Sequence, residues 1–117
     1  MFNPLSVLTG ATLAAMCRHP ETRALVAKMM EEALDIAHAV GARPRVSIER
    51  CLAGAERVGE HKTSTLQDFE AGKPLELAAI IDAVIELADL AEVDAPSMRA
   101  IAAASALLAE TRSPPPE

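Results

Sequence analysis

Ser64 and Glu76 place a hydroxyl and a carboxylate twelve residues apart in the run KTSTLQDFEAGKPLE, Lys62 to Glu76. The residues between them read as one capped helical turn. The Ser64 side chain can accept from the amide three residues on and Gln67 can reach back, so Ser64-Thr65-Leu66-Gln67 fits a capping box, and Gly72 supplies the stop. The pair looks like half of an active site. Taken singly they are less telling: Ser64 is accounted for as a helix cap, and Glu76 as an acid in the first turn of the next helix. A second fragment of note is Asn3-Pro4-Leu5 at the other end of the chain.

The elements that would position these groups are all helical. Of the 117 residues half are hydrophobic, mostly Ala, Leu, Ile, Val and Met, with Phe2 and Phe69 the only aromatics, a composition for close-packed helices in one domain. Pro4 to about Leu8 reads as a helix tail ending near Gly10, as though the chain opened in mid-helix, and Thr12 to Cys17 as a short apolar turn. Pro20 then opens a long helix that stops at Gly41, with Leu25, Met29, Ala33, Ile36 and Val40 as its apolar stripe and Lys28, Glu31, Glu32 and Asp35 on other faces. Ser47 caps a helix through Val58 that Gly59 ends. Leu77, Ile80, Val84, Leu87 and Ala91 form the seam of another, and Pro96 starts an alanine-rich last helix through Leu108. The expected fold is all-α, about six helices around an antiparallel pair, over residues 1–112, with 113–117 a proline-rich tail.

Composition excludes several function classes. Eleven Lys and Arg scattered among seventeen acids give a net charge of −6, which argues against nucleic acid. No stretch approaches a spanning helix and no basic leader opens the chain, so a cytoplasmic protein without a membrane role is expected. Cys17 and Cys51 fall on separate elements and are expected to be buried, reduced thiols.

NPLSVLTG, Asn3 to Gly10, and HKTSTLQDFEAGKPLE, His61 to Glu76, together resemble the C-terminal domain of the ketopantoate reductases (2-dehydropantoate 2-reductases). In that family a Rossmann domain holds NADPH, and a helical domain binds the 2-keto acid and protonates its carbonyl as hydride arrives. The resemblance implies that Asn3 hydrogen-bonds the substrate near the hinge, an amide offering both donor and acceptor. It implies that Ser64 binds substrate, in keeping with a hydroxyl at a helix start, and that Glu76 bonds a substrate hydroxyl or positions the family's lysine. Gln67 and Asp68 belong to the signature, whereas Lys62 and Lys73 match no catalytic position. The general-acid lysine would fall eight residues before Asn3-Pro4-Leu5, ahead of Met1. The five glycines never fall two apart, so no G-x-G-x-x-G turn is present for a dinucleotide. This chain alone is therefore expected to bind no cofactor, to have no catalytic residue of its own and to show no reductase activity. Its partners would be the 2-keto acid in the complete enzyme, and a second copy or a separate Rossmann-domain protein.

Two readings compete. An interaction module would use its apolar surface to pair with another copy or a partner. A magnesium-dependent nucleotide pyrophosphohydrolase of the all-α type would use Glu31-Glu32-x-x-Asp35 and Glu86-x-x-Asp89, whose alternative is the solvated face of an amphipathic helix. Cys17-x-His19, Asp35-x-x-His38 and His61 lack the second half of a metal site.

Overall fold

The computed structural model describes residues 2–45, 47–72 and 77–112, without the side chains of 77–80 and 112. Among the described residues the chain forms seven helices and no strand: α1 Phe2–Thr9, α2 Leu13–Arg18, α3 Pro20–Ala39, α4 Ile48–Val58, α5 Ser64–Glu70, α6 Leu77–Leu90 and α7 Pro96–Arg112. The count reaches seven because Thr12 to Cys17, expected to be a turn, winds into α2. Thr12 lies before that helix as its cap, its hydroxyl accepting from the Ala15 amide at 3.2 Å.

Helix ends follow the expected chemistry in most places. Pro20 occupies the first turn of α3, and the His19 ring caps it through Nδ1, which accepts from the Thr22 amide. At the other end Gly41 adopts φ +91°; its amide donates to His38 and that of Ala42 to Ala37, the two bonds of a Schellman motif. The same pair of bonds closes α6, from Glu92 to Asp89 and from Val93 to Ala88, although the residue in the left-handed position is a glutamate at φ +57°.

The core runs from α1 and α2 across α3 to α7. Leu5, Met16, Cys17, Val26, Met29, Ile36, Leu52, Ala88, Ala95, Met98 and Ile101 bury one continuous cluster, and Val7 and Leu66 with Phe69 and Leu108 form a smaller one between α1, α5 and α7. Burying these apolar side chains is worth about 1.5–3 kcal/mol each for the larger ones. The seams differ in detail from the sequence pattern. Val40 and Leu87 are exposed, and α6 turns Ala88 inward instead, because its neighbours α3 and α7 approach from that side.

Glu32 corrects the expectation of a solvated acidic face. It is 3% exposed, and its two carboxylate oxygens accept from the amides of Ser97 at 3.1 Å and Met98 at 2.9 Å. The residue before α7 is Ala95, which has no acceptor in its side chain, and the first turn of α7 carries no acid. A carboxylate from α3 thus supplies the cap that α7 lacks locally, tying the two helices together. Cys51 is likewise exposed where a buried thiol was expected, while Cys17 is buried; both are free.

Candidate substrate-binding site

The cap of α5 lies one residue earlier than the sequence pattern implied. Thr63, not Ser64, holds the cap position: its hydroxyl accepts from the Leu66 amide at 3.1 Å, and its carbonyl from the Gln67 amide at 3.0 Å. The capping box expected at Ser64 does not form. Gln67 Nε2 instead donates to the Lys62 carbonyl at 3.1 Å, on the far side of the cap. Ser64 becomes the first helical residue, exposed and released from any capping duty.

Three attachments fix this helix start. Upstream, the Leu13 amide donates to the His61 carbonyl and the Ala14 amide to the Gly59 carbonyl, both at 3.0 Å, so the first amides of α2 are satisfied by the loop that leads into α5. Thr12 donates to Glu60 at 2.9 Å, and Glu60 also pairs with Arg18 at 3.0 Å. Gly59 makes the turn possible: at φ +86° and ψ −137° it occupies backbone space that a β-carbon makes costly. Downstream, Lys62 Nζ is held at 2.8 Å from Glu70 across α5. Its ammonium is thereby engaged on the helix it precedes.

The third attachment brings in Asn3. Ser6 Oγ donates to the Asn3 carbonyl at 2.7 Å and lies 2.6 Å from Thr63 Oγ1. Because a serine hydroxyl has one proton, that donation makes Thr63 the donor in the second bond. Asn3, one turn before Ser6 on α1, and Ser64, directly after Thr63, are therefore set on adjoining ends of two packed helices, and both are exposed. Of the three residues expected to bind substrate, Asn3 and Ser64 are the two described. Glu76, the third, lies outside the described residues, as do Lys73 and the 113–117 tail.

The model of the family described as "Ketopantoate reductase PanE/ApbA C terminal" matches residues 1–109. The chain belongs to this family and corresponds to its C-terminal domain. It is 46% identical over 111 residues to a 2-dehydropantoate 2-reductase of Mesorhizobium japonicum, an alignment that takes in 95% of this chain and 34% of that protein. The crystal structure of 2-dehydropantoate 2-reductase from Methylococcus capsulatus superposes with a TM-score of 0.85 at 32% identity, over 97% of this chain and 40% of that one. A dimeric ketopantoate reductase from Staphylococcus aureus shares the fold, with a TM-score of 0.75 at 23% identity over 95% of this chain and 39% of that one. The chain spans about a third of the length of the curated relative it matches.

Within this ketopantoate reductase domain, two members of the acidic pairs, Glu32 and Asp89, already have protein partners. Among the described residues no three His, Cys, Asp or Glu side chains gather as metal ligands, and Glu32 is already committed to α7. Asp89 pairs with Arg99. No helix among the described residues is long and apolar enough to cross a membrane. The residues that sequence reasoning missed are Ser6 and Thr63. The signal was the three adjacent hydroxyls Thr63-Ser64-Thr65, each of which could begin a helix; tertiary contacts, the Ser6–Thr63 bond among them, go with the choice of Thr63.

Proposed function

We propose that this domain binds the 2-keto acid substrate of an NADPH-dependent 2-dehydropantoate 2-reductase, with Asn3, Ser64 and Glu76 as its substrate-binding residues. The observation that carries the reading is the internal tie between α1 and α5, which holds an exposed amide-bearing residue and an exposed hydroxyl on adjoining helix ends in a chain of this family. Asn3 would hydrogen-bond the keto acid as donor or acceptor, and Ser64 would donate to its carboxylate. Glu76 would accept from a substrate hydroxyl.

The residues present do not fit a dinucleotide. Gly10, Gly41, Gly59 and Gly72, the glycines with positive φ, each follow the end of a helix, whereas a pyrophosphate cradle needs a glycine-rich turn that opens one. NADPH would therefore be held by the remainder of the complete enzyme, and this chain alone would transfer no hydride. The cytoplasmic location expected from the sequence goes with this reading.

Titrating the 117-residue chain with ketopantoate, observed by amide NMR, tests the reading. Shifts are expected at the Asn3 side-chain amide, Ser64 and Glu76, and Ser64→Ala should weaken binding by about tenfold or more, the value of a hydrogen bond to a charged group. Shifts confined to other helices, or none at all, would sink the assignment. Oxidation of NADPH by the purified chain in the presence of ketopantoate would contradict its proposed inactivity.

A further inference from the structure

We propose that Ser6 and Thr63 are positioning residues for the substrate site: their hydroxyl pair sets the placement of Asn3 relative to Ser64, so that the two substrate-facing groups move as one unit. This rests on the assignment of Asn3 and Ser64 to the substrate.

The hydrogen-bond chain is continuous and directional. The Leu66 amide donates to Thr63 Oγ1, Thr63 Oγ1 to Ser6 Oγ, and Ser6 Oγ to the Asn3 carbonyl, at 3.1, 2.6 and 2.7 Å. Each hydroxyl spends its one proton and accepts one bond, which leaves no rotational freedom in either side chain. Ser6 is 0% and Thr63 8% exposed, so neither reaches a ligand directly and water does not compete for their bonds. An alanine and a valine would fill the same space without desolvating two hydroxyls; what the hydroxyls add is direction. That direction matters because α5, at seven residues, is too short to hold its own orientation. Its incoming loop is tied to α2 through Gly59 and His61, and the Ser6–Thr63 bond gives it a second, independent anchor on the helix that carries Asn3.

Ser6→Ala is the discriminating variant, because it cuts the link and leaves the cap of α5 intact. In the NMR titration with ketopantoate it should bind about tenfold more weakly than the parent while remaining folded, since loosely oriented contacts forfeit much of their binding. Asn3→Ala should cost less in the Ser6→Ala background than in the parent, as expected of coupled groups. Thr63→Ser, which keeps the hydroxyl, should retain affinity to within about twofold. A folded Ser6→Ala variant with unchanged ketopantoate affinity overturns the proposal, and so does an equal loss for Thr63→Ser, which would assign the effect to packing. Should Ser6→Ala fail to fold, Ser6→Cys, whose thiol is a weak hydrogen-bonding group and which likewise leaves the cap of α5 intact, is judged by the same criterion. Failure of the parent chain to bind ketopantoate would overturn the substrate-site assignment, and this inference with it; binding by the parent with no effect of Ser6→Ala overturns the positioning role alone.

Discussion

Cys17 and Cys51 show how burial separates two chemically identical groups. Burial pushes the Cys17 thiol above its ordinary pKa, with the nearby Arg23 guanidinium opposing and Glu56 adding to the rise, while Cys51 is exposed. A thiol reagent should therefore modify Cys51 promptly in the folded protein and Cys17 only on unfolding; equal rates would contradict the structure. The folded state holds the Cys17 proton more tightly than the unfolded state does. Its contribution to stability is accordingly complete below the unfolded thiol pKa and is lost as pH rises through the raised folded value. Urea unfolding between pH 7 and 10 should show a decline in the parent that is shallower in Cys17→Ala. The sequence placed these cysteines on different elements but could not sort them by exposure, because exposure is decided by what α2 and α4 pack against. Cys17 faces the Leu52 carbonyl, whereas Cys51, one residue before Leu52, faces solvent.

At the scale of the helix, two ends are closed in ways the local sequence does not announce. Glu32 caps α7 from a distance of 65 residues in the chain, and its removal leaves the buried Met98 amide and the part-buried Ser97 amide without an acceptor. Glu32→Ala should cost about 3 kcal/mol in chemical denaturation, more than Glu32→Gln, which retains one acceptor. A change within about 0.5 kcal/mol would show the carboxylate to be dispensable. Glu92 holds a left-handed backbone position with φ +57° in a motif that glycine favours. Glu92→Gly should therefore stabilise the domain by up to about 1 kcal/mol, and a fall in melting temperature would contradict the strain argument. The starts at Pro20 and Ser47 and the stops at Gly10, Gly41, Gly59 and Gly72 were legible because each depends on a residue next to the helix it bounds. The cap of α5 was not, since three adjacent hydroxyl residues satisfy the same local rule.

For the whole molecule the informative surface lies on α6 and α7. Leu87, Leu90 and Leu107 are exposed, Leu90 at 76%, and the alanines 100, 103, 104 and 106 of α7 also face outward. A run of small side chains permits close backbone approach, and large exposed leucines favour association. We expect the chain to self-associate through this surface. Sedimentation at increasing concentration should show a dimer or higher oligomer that Leu90→Lys weakens by tenfold or more; a monomer at high micromolar concentration would refute it. Alternatively, a Rossmann-domain partner would cover the same helices, and mixing with such a domain would then shift the sedimentation profile.

What the sequence determined by itself was the helical class, most helix boundaries and the family, because periodicity, caps and the Asn3-Pro4-Leu5 and Lys62 to Glu76 runs are properties of neighbouring residues. What the tertiary structure decided was every relationship between distant ones: that Thr63 rather than Ser64 caps α5, that Ser6 joins α1 to it, and that Glu32 is an internal cap rather than a solvated acid. The physical reason is common to all three. A buried polar group is costly to leave unsatisfied, and whether its partner comes from the same turn or from another helix is fixed only when the helices pack.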